Sequence, residues 1–383
     1  MSCFNKAFLS GIIICTGTLL SIGVHAEMTA NPRISLGKPV YTNGNTANLD
    51  RVNDGKFEDK EWNGGPASEK APLWIAMKLG SGPRRVLVNW CDHVKAARFN
   101  SGVNVPGDYL IQTSANSTNG SDGKWTTALA ITGNFYMNRV HAVDFTDQQW
   151  IRLYVTKPSP KSNGDDIHLL EMEAYDVSGG INDSWMFLGD SITWAAFIRW
   201  GDGAFDKSIT ANAPAYTPST VNGGIPGLAL SQMVRGSDPN FPNLEQVLAA
   251  FPDTKYWAIG FGTNDAAGEN DPAKYQKDME TLVQKLQAAG KVPIIQKVPY
   301  TEAPARHPPT IIQYNQIIDQ INTKYKLLPG PDLWAWFHDH PKEINAPDSD
   351  GVHPSYKGGY ASMMRQWIQS VMPLYNTRTP AAQ

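Results

Sequence analysis

The sequence predicts two parts: an all-β front half, then an α/β half built on a parallel sheet. Three observations carry that expectation. The chain has 383 residues, 41% hydrophobic and 18% charged, which is a globular composition long enough for two domains of about 100–200 residues each. Apolar segments of the front half are short, rich in β-branched and aromatic residues, and lack a period near 3.6. In the second half short apolar runs alternate with amphipathic helical patterns, the grammar of strands joined by crossover helices.

The first 26 residues differ from both halves. Lys6 supplies a positive start, residues 8–24 are nearly free of charge, and Val24-His25-Ala26 ends on the small residue a signal peptidase prefers. We read residues 1–26 as a secretory signal cleaved near Ala26. The mature protein is then exported, periplasmic or secreted, without stable membrane insertion, because no other stretch is long and apolar enough to span a bilayer. Cys15 follows three Ile residues, whereas a lipoprotein signal places a small residue there. After cleavage Cys91 is the single cysteine, so no intramolecular disulfide forms and the thiol reads as a small buried hydrophobe. A net charge of −3 gives no electrostatic reason to expect a nucleic-acid partner.

Residues 31–177 form the front half. Runs at 73–79, 85–90, 109–113 and 150–155 read as strands, separated by clusters of Gly, Asn, Asp, Ser and Pro. Residues 158–166 read as a loop, and Val177-Ser178-Gly179-Gly180 as a short flexible boundary. Residues 182–375 form the second half. Strands are expected at 185–188, 256–261 and 292–298, and helices at 272–289, 310–325 and 358–372. Asp271 before Pro272 is a helix start and Gly290 a helix stop.

Ligand chemistry in an α/β sheet gathers at the carboxyl ends of its strands. Gly189-Asp190-Ser191-Ile192-Thr193 directly follows an expected strand, so Ser191 is presented at that rim, next to backbone N–H groups of a helix start. A serine hydroxyl is a weak nucleophile until a base takes its proton. Asp348-Ser349-Asp350-Gly351-Val352-His353-Pro354 offers that base, with Asp350 three residues before His353 and able to orient its imidazole. Gly262-Thr263-Asn264-Asp265 brings an amide donor suited to an oxyanion. Val221-Asn222-Gly223-Gly224-Ile225-Pro226-Gly227 reads as a Gly-rich loop able to bring a backbone N–H to the same oxygen. No Gly-x-Ser-x-Gly elbow surrounds Ser191, which argues against the usual α/β-hydrolase arrangement.

In this order, the segments at 189–191, 222–227, 262–265 and 350–354 resemble the four sequence blocks of SGNH (GDSL) hydrolases. The resemblance spans about residues 182–375 and implies a three-layer α/β/α sandwich around a parallel sheet of about five strands. It also implies Ser191 as nucleophile, His353 as base and Asp350 as its orienter. The implied oxyanion hole is the N–H of Ser191, the N–H of Gly227 and the side chain of Asn264, with Gly224 the rival for the second place. No metal or cofactor is implied for catalysis. Ile192, where leucine is often found, and Thr263 are the departures from the pattern.

The front half has a second resemblance. Asp54-Gly55, Trp62, Leu73-Trp74-Ile75-Ala76-Met77-Lys78-Leu79-Gly80, Tyr109-Leu110-Ile111-Gln112-Thr113-Ser114, Asp122-Gly123-Lys124-Trp125 and Trp150-Ile151-Arg152-Leu153-Tyr154-Val155 resemble discoidin (coagulation factor 5/8 C-type) domains, closing at residues 167–175. This implies a jelly-roll β-sandwich, often a carbohydrate-binding module and sometimes holding a structural Ca²⁺. Trp62 and Trp74 suit sugar stacking, but tryptophans of a sandwich more commonly fill its core.

Both resemblances together imply an exported serine esterase removing O-acetyl groups from a polysaccharide. Other readings share the triad: a lysophospholipase or thioesterase with an apolar groove of Trp194, Phe197, Ile198 and Trp200, or a polysaccharide O-acetyltransferase. A metal-dependent deacetylase would use His338-Asp339-His340, against which residues 337–341 read as a solvated loop after a strand. A non-catalytic carbohydrate-binding protein would have no need for Ser191, Asp350, His353 and Asn264 together.

Overall fold

The computed structural model describes residues 28–57, 60–92, 99–198 and 205–375. The expected signal at 1–26, with Cys3 and Cys15, lies outside the described residues, as does Trp200. In the front half ten strands run as β1 (Val40–Thr42), β2 (Trp62–Pro66), β3 (Leu73–Lys78), β4 (Arg85–Cys91), β5 (Pro106–Ser114), β6 (Thr126–Ile131), β7 (Asn138–Asp144), β8 (Trp150–Pro158), β9 (Asp166–Leu169) and β10 (Glu171–Asp176). They pair antiparallel as β1-β3-β8-β5-β6, as β10-β4-β7 and as β2-β9.

Alternation explains how these strands make a core. Ile151, Leu153 and Val155 of β8 point inward with Ile75 and Met77 of β3, against Val86, Val88 and Trp90 of β4 and Met172 and Ala174 of β10. One period-2 face from each of the two larger sheets is thus removed from water, at roughly 1.5–3 kcal/mol for each large side chain. Trp62 belongs to this core, 1% exposed, and its indole N–H donates to the Asn45 carbonyl at 2.7 Å. Trp74 is half-buried and lies near the guanidinium of Arg152.

In the second half the parallel sheet runs β12 (Ser219–Gly224), β11 (Ser184–Gly189), β13 (Tyr256–Gly260), β14 (Val292–Ile295). Four strands are present among the described residues, where about five were expected. One of the four, β12, was read in the sequence as a Gly-rich loop: Ser-Thr-Val-Asn-Gly-Gly holds a single large apolar residue. Its strand character comes from pairing with β11 along its whole length.

Both faces of the sheet are covered, which is why β11 reads as an unbroken apolar run. Trp185 and Phe187 face one layer, containing α1 (Ser191–Ile198), α2 (Phe205–Asn212), α8 (Leu333–Asp339) and α9 (Gly359–Tyr375). Met186 and Leu188 face the other, with α3 (Leu230–Arg235), α4 (Leu244–Ala250), α5 (Thr263–Ala267), α6 (Pro272–Ala288) and α7 (Pro308–Tyr325). The Asp271 carboxylate caps α6 by accepting from the N–H groups of Ala273 and Lys274 at 3.0 and 3.2 Å. Residues 337–341, read as a loop after a strand, belong instead to α8 and the turn after it. Asp332 caps that helix through the Ala335 N–H at 2.9 Å, and Phe337 is buried. Seven residues are too few for a periodic signal.

The boundary at 177–180 is short, but it is pinned, not flexible. The Asn31 side chain donates to Gly180 O at 2.8 Å and accepts from the N–H groups of Asn182 and Asp183 at 2.7 and 2.9 Å. Arg33, ion-paired to buried Glu173, donates its backbone N–H to the Thr217 hydroxyl oxygen at 3.0 Å. The two halves also share a core in which Phe99 and Tyr136 pack on Phe251. No helix among the described residues is long and apolar enough to cross a membrane.

Candidate active site

Strand register builds the site. Gly189 at the end of β11 stands opposite Gly224 of β12 on one side and Gly260 of β13 on the other. The chain segments carrying Ser191, Gly227 and Asn264 therefore leave the sheet side by side, at its carboxyl edge. Glycine is required where they leave. A Cβ on Gly224 would run into the α1 backbone at Trp194, and Cβ atoms on Gly189 or Gly260 would meet the Thr193 hydroxyl. The glycines let α1 start close over the strand ends, with Ser191 as its first residue.

A hydrogen-bonded chain runs outward from that serine. Ser191 Oγ lies 2.7 Å from His353 Nε2, and His353 Nδ1 lies 2.8 Å from Asp350 Oδ2. Partial burial works to raise the Asp350 pKa, but the His353 and Val352 N–H groups and the imidazole outweigh it and hold the carboxyl down at about 2. As a carboxylate, Asp350 can only accept, so the ring proton sits on Nδ1. Nε2 is then left with its lone pair toward the Ser191 hydroxyl.

The loop bearing Asp350 and His353 is held from several sides. Asp350 Oδ1 accepts from the N–H groups of Val352 and His353 at 2.9 and 2.8 Å. Ser349 Oγ donates to the carbonyl oxygens of Ile344 and His353. Thr301 Oγ1 donates to Gly351 O at 2.5 Å, and Gly351 has φ +77°, a left-handed turn glycine adopts without strain.

Three donors at the strand ends suit a developing oxyanion. The N–H groups of Ser191 and Gly227 donate to no other group among the described residues. The N–H of Gly224, the rival position, is already taken by Asn222 Oδ1 at 3.0 Å. Asn264 Nδ2 donates to Leu228 O at 3.1 Å, which leaves its second N–H uncommitted. Asp265 anchors the same region: its carboxylate oxygens accept from the Leu230 and Ser231 N–H groups at 3.0 and 3.2 Å, fixing the start of α3. Burial pushes the carboxyls of Asp265 and Asp190 up to about 6, with backbone N–H donors partly offsetting it.

Residues 187–360 match the GDSL-like Lipase/Acylhydrolase family. Solved structures to which part of the chain is similar include the lipase/acylhydrolase from Enterococcus faecalis, at 20% identity and a TM-score of 0.40, covering 50% of this chain and 96% of that one. Axe2, an acetylxylan esterase from Geobacillus stearothermophilus, is 22% identical with a TM-score of 0.39, covering 51% and 95% respectively. Chitosan-binding module 1 of a chitosanase/glucanase from Paenibacillus sp. IK-5 is 24% identical with a TM-score of 0.28, covering 38% of this chain and 98% of the module. No curated protein matches the chain.

Other residues singled out from the sequence fall elsewhere. His338 stacks on Trp334 and His340 on Trp336, and the His340 Nδ1–H donates to Trp336 O at 2.8 Å, so the two imidazoles face different tryptophans. The group among the described residues with closely spaced metal-ligating atoms is instead Glu61, Asp92 and His168 in the front half, where His168 Nδ1 and Glu61 Oε1 lie 3.0 Å apart. Trp194 of α1 is half-buried; the side chains of Phe197 and Ile198 lie outside the described residues. Cys91 is buried, and burial together with Glu171, Glu173 and Asp92 pushes its thiol far up. One residue at the GDSL-like site escaped the sequence reading altogether. Arg306, 42 positions after Asn264, donates to its side chain, and no local motif points to it.

Proposed function

We propose that this chain is an exported serine esterase that removes O-acetyl groups from a polysaccharide. The observation that carries the reading is the line Ser191 Oγ, His353 Nε2, His353 Nδ1, Asp350 Oδ2, with contacts of 2.7 and 2.8 Å, beside the Ser191 and Gly227 N–H groups, which donate to no other group among the described residues. In the proposed reaction His353 Nε2 takes the hydroxyl proton as Ser191 Oγ bonds to the ester carbonyl carbon. The N–H groups of Ser191 and Gly227 and the Asn264 amide receive the negative oxygen. As the tetrahedral centre collapses, its bond to the sugar oxygen breaks and His353 returns the proton to that leaving group. Water, deprotonated by the same imidazole, then attacks the acyl-enzyme and releases acetate.

The glycan half of the reading draws on the discoidin-like patterning of the front half, a jelly roll and sugar-binding module by that likeness. Export draws on residues 1–26. A structural Ca²⁺ in the front half has a fitting pair of ligands in Asp54 and Glu171. Glu171 Oε2 is buried with no hydrogen-bond partner among the described residues. Burial, with the charges of Glu173 and Asp54, pushes the Glu171 carboxyl up to about 10.

Acetate release across acetylated peptidoglycan, alginate, xylan and cellulose tests the function. Ser191→Ala is expected to abolish release while leaving the thermal unfolding curve in place; retained turnover would remove the mechanism. A steep fall in rate beyond acetate on p-nitrophenyl esters of rising chain length is expected of the acetylesterase and not of a lipase.

A further inference from the structure

The loop between β14 and α7 touches the candidate site at two points. Midway along it, the Thr301 hydroxyl donates to Gly351 O at 2.5 Å, inside the loop that carries Asp350 and His353. Near its end, a single helical turn at Pro304–Arg306 brings Arg306 Nη1 to 3.3 Å from Asn264 Oδ1. Arg306 is half-buried, and that bond is the one hydrogen bond its side chain makes among the described residues, where it also has no carboxylate partner within ion-pair distance. A guanidinium held this far out of water without an anion needs another role.

The hydrogen bonds around Asn264 supply one. A guanidinium can only donate and a carbonyl can only accept. With Arg306 on Oδ1 and Leu228 O on Nδ2, the amide is therefore fixed in one of its two flipped orientations. A planar group anchored at both ends has one free N–H left, and its direction is set. The positive charge on Oδ1 also polarises the amide, which makes that N–H a stronger donor. The same charge reaches Asp190, beside the nucleophile.

We propose that Arg306 is a positioning residue of the oxyanion hole: it locks and polarises the Asn264 amide so that its free N–H is aimed at the oxygen that becomes negative in the transition state. The inference rests on the reading of Asn264 as an oxyanion donor. Its contribution belongs to the transition state, because the acyl carbonyl of the bound substrate carries little charge. Arg306 is thus expected to act on kcat and hardly on KM.

The test uses the full chain hydrolysing p-nitrophenyl acetate. Arg306→Ala is expected to lower kcat by about 10–100-fold, less than the roughly 100–1,000-fold for loss of a whole donor in Asn264→Ala, with KM within about twofold. Arg306→Gln keeps a donor without charge and should fall between Arg306→Ala and the wild type. Arg306→Lys, with charge and donor, should recover most of the rate. In the Arg306→Ala/Asn264→Ala double variant the loss should equal that of Asn264→Ala alone, because Arg306 then has nothing to position. Unchanged kcat in Arg306→Ala, a loss confined to KM, or losses that multiply in the double variant would each overturn the proposal. An Asn264→Ala enzyme with wild-type kcat, while Ser191→Ala is inactive, removes the oxyanion reading of Asn264 and this proposal with it. Unfolding midpoints of all variants within a few degrees of one another keep the comparison one of function.

Discussion

Asp350→Asn isolates the part of the site that depends on a charge. The wild-type carboxylate accepts three hydrogen bonds, from His353 Nδ1 and from the N–H groups of Val352 and His353. An amide is nearly the same shape but has one acceptor atom. If Oδ1 keeps the two backbone donors, an NH₂ group is left facing His353 Nδ1. The imidazole must then move its proton to Nε2, where it points at Ser191 and can no longer remove the hydroxyl proton. In a buried triad such a tautomer error costs about 10⁴-fold in kcat. Here the Asp350 side chain is 60% exposed, so water can take over part of its role and the charge is screened. We therefore expect a loss of about 10²–10³-fold in kcat/KM on p-nitrophenyl acetate, equivalent to about 3–4 kcal/mol of transition-state stabilisation. KM and the thermal midpoint should change little, since the two backbone bonds survive. A loss below tenfold would mean that Asp350 does not orient His353, and the proposed triad would have to be redrawn.

Further expectations concern the scaffold. Gly224→Ala forces a methyl group to within 2.5 Å of Trp194 Cα; a cost of about 1–3 kcal/mol should appear as a lower urea midpoint, together with reduced turnover as α1 is pushed away, and an unchanged midpoint would contradict the close packing of β12 on α1. Burial raises Asp183 to about 7 and Asp190, Asp206 and Asp265 to about 6. Their stabilising protonated state is complete below the ordinary value near 4 and lost as pH rises through 6 to 7, up to about 3 kcal/mol for a group moved by two. In calcium-free buffer the urea midpoint should be higher at pH 4.5 than at pH 7.5; a steady rise across that range would refute the assignment. Added Ca²⁺ should raise the thermal midpoint at neutral pH, and Glu171→Gln should remove that response; equal responses in both would place any Ca²⁺ elsewhere.

Much of the GDSL-like half was legible because its signals are local. Apolar runs at 185–188 and 256–261, the Asp271-Pro272 start and the Gly290 stop each state their structure within a few residues. β12 was illegible for the opposite reason: Ser219–Gly224 lacks an apolar pattern, and only β11 beside it makes it a strand. α8 was missed because seven residues carry too little periodicity, and the boundary at 177–180 looked flexible because the Asn31 side chain that pins it lies about 150 positions away.

The sequence by itself determined the residue types at the site and their order along the chain, because a turn glycine, a capping acid or an Asp three residues before a His acts on its immediate neighbours. It also offered two glycines, 224 and 227, for one place in the oxyanion hole. In the structure the Gly224 N–H is spent on Asn222 Oδ1, two residues back, whereas the Gly227 N–H donates to nothing else described. Which side chains meet across the strand ends, Arg306 against Asn264 above all, is set by the in-register pairing of β12, β11, β13 and β14. That pairing brings together segments far apart in the chain, and no short-range pattern records it.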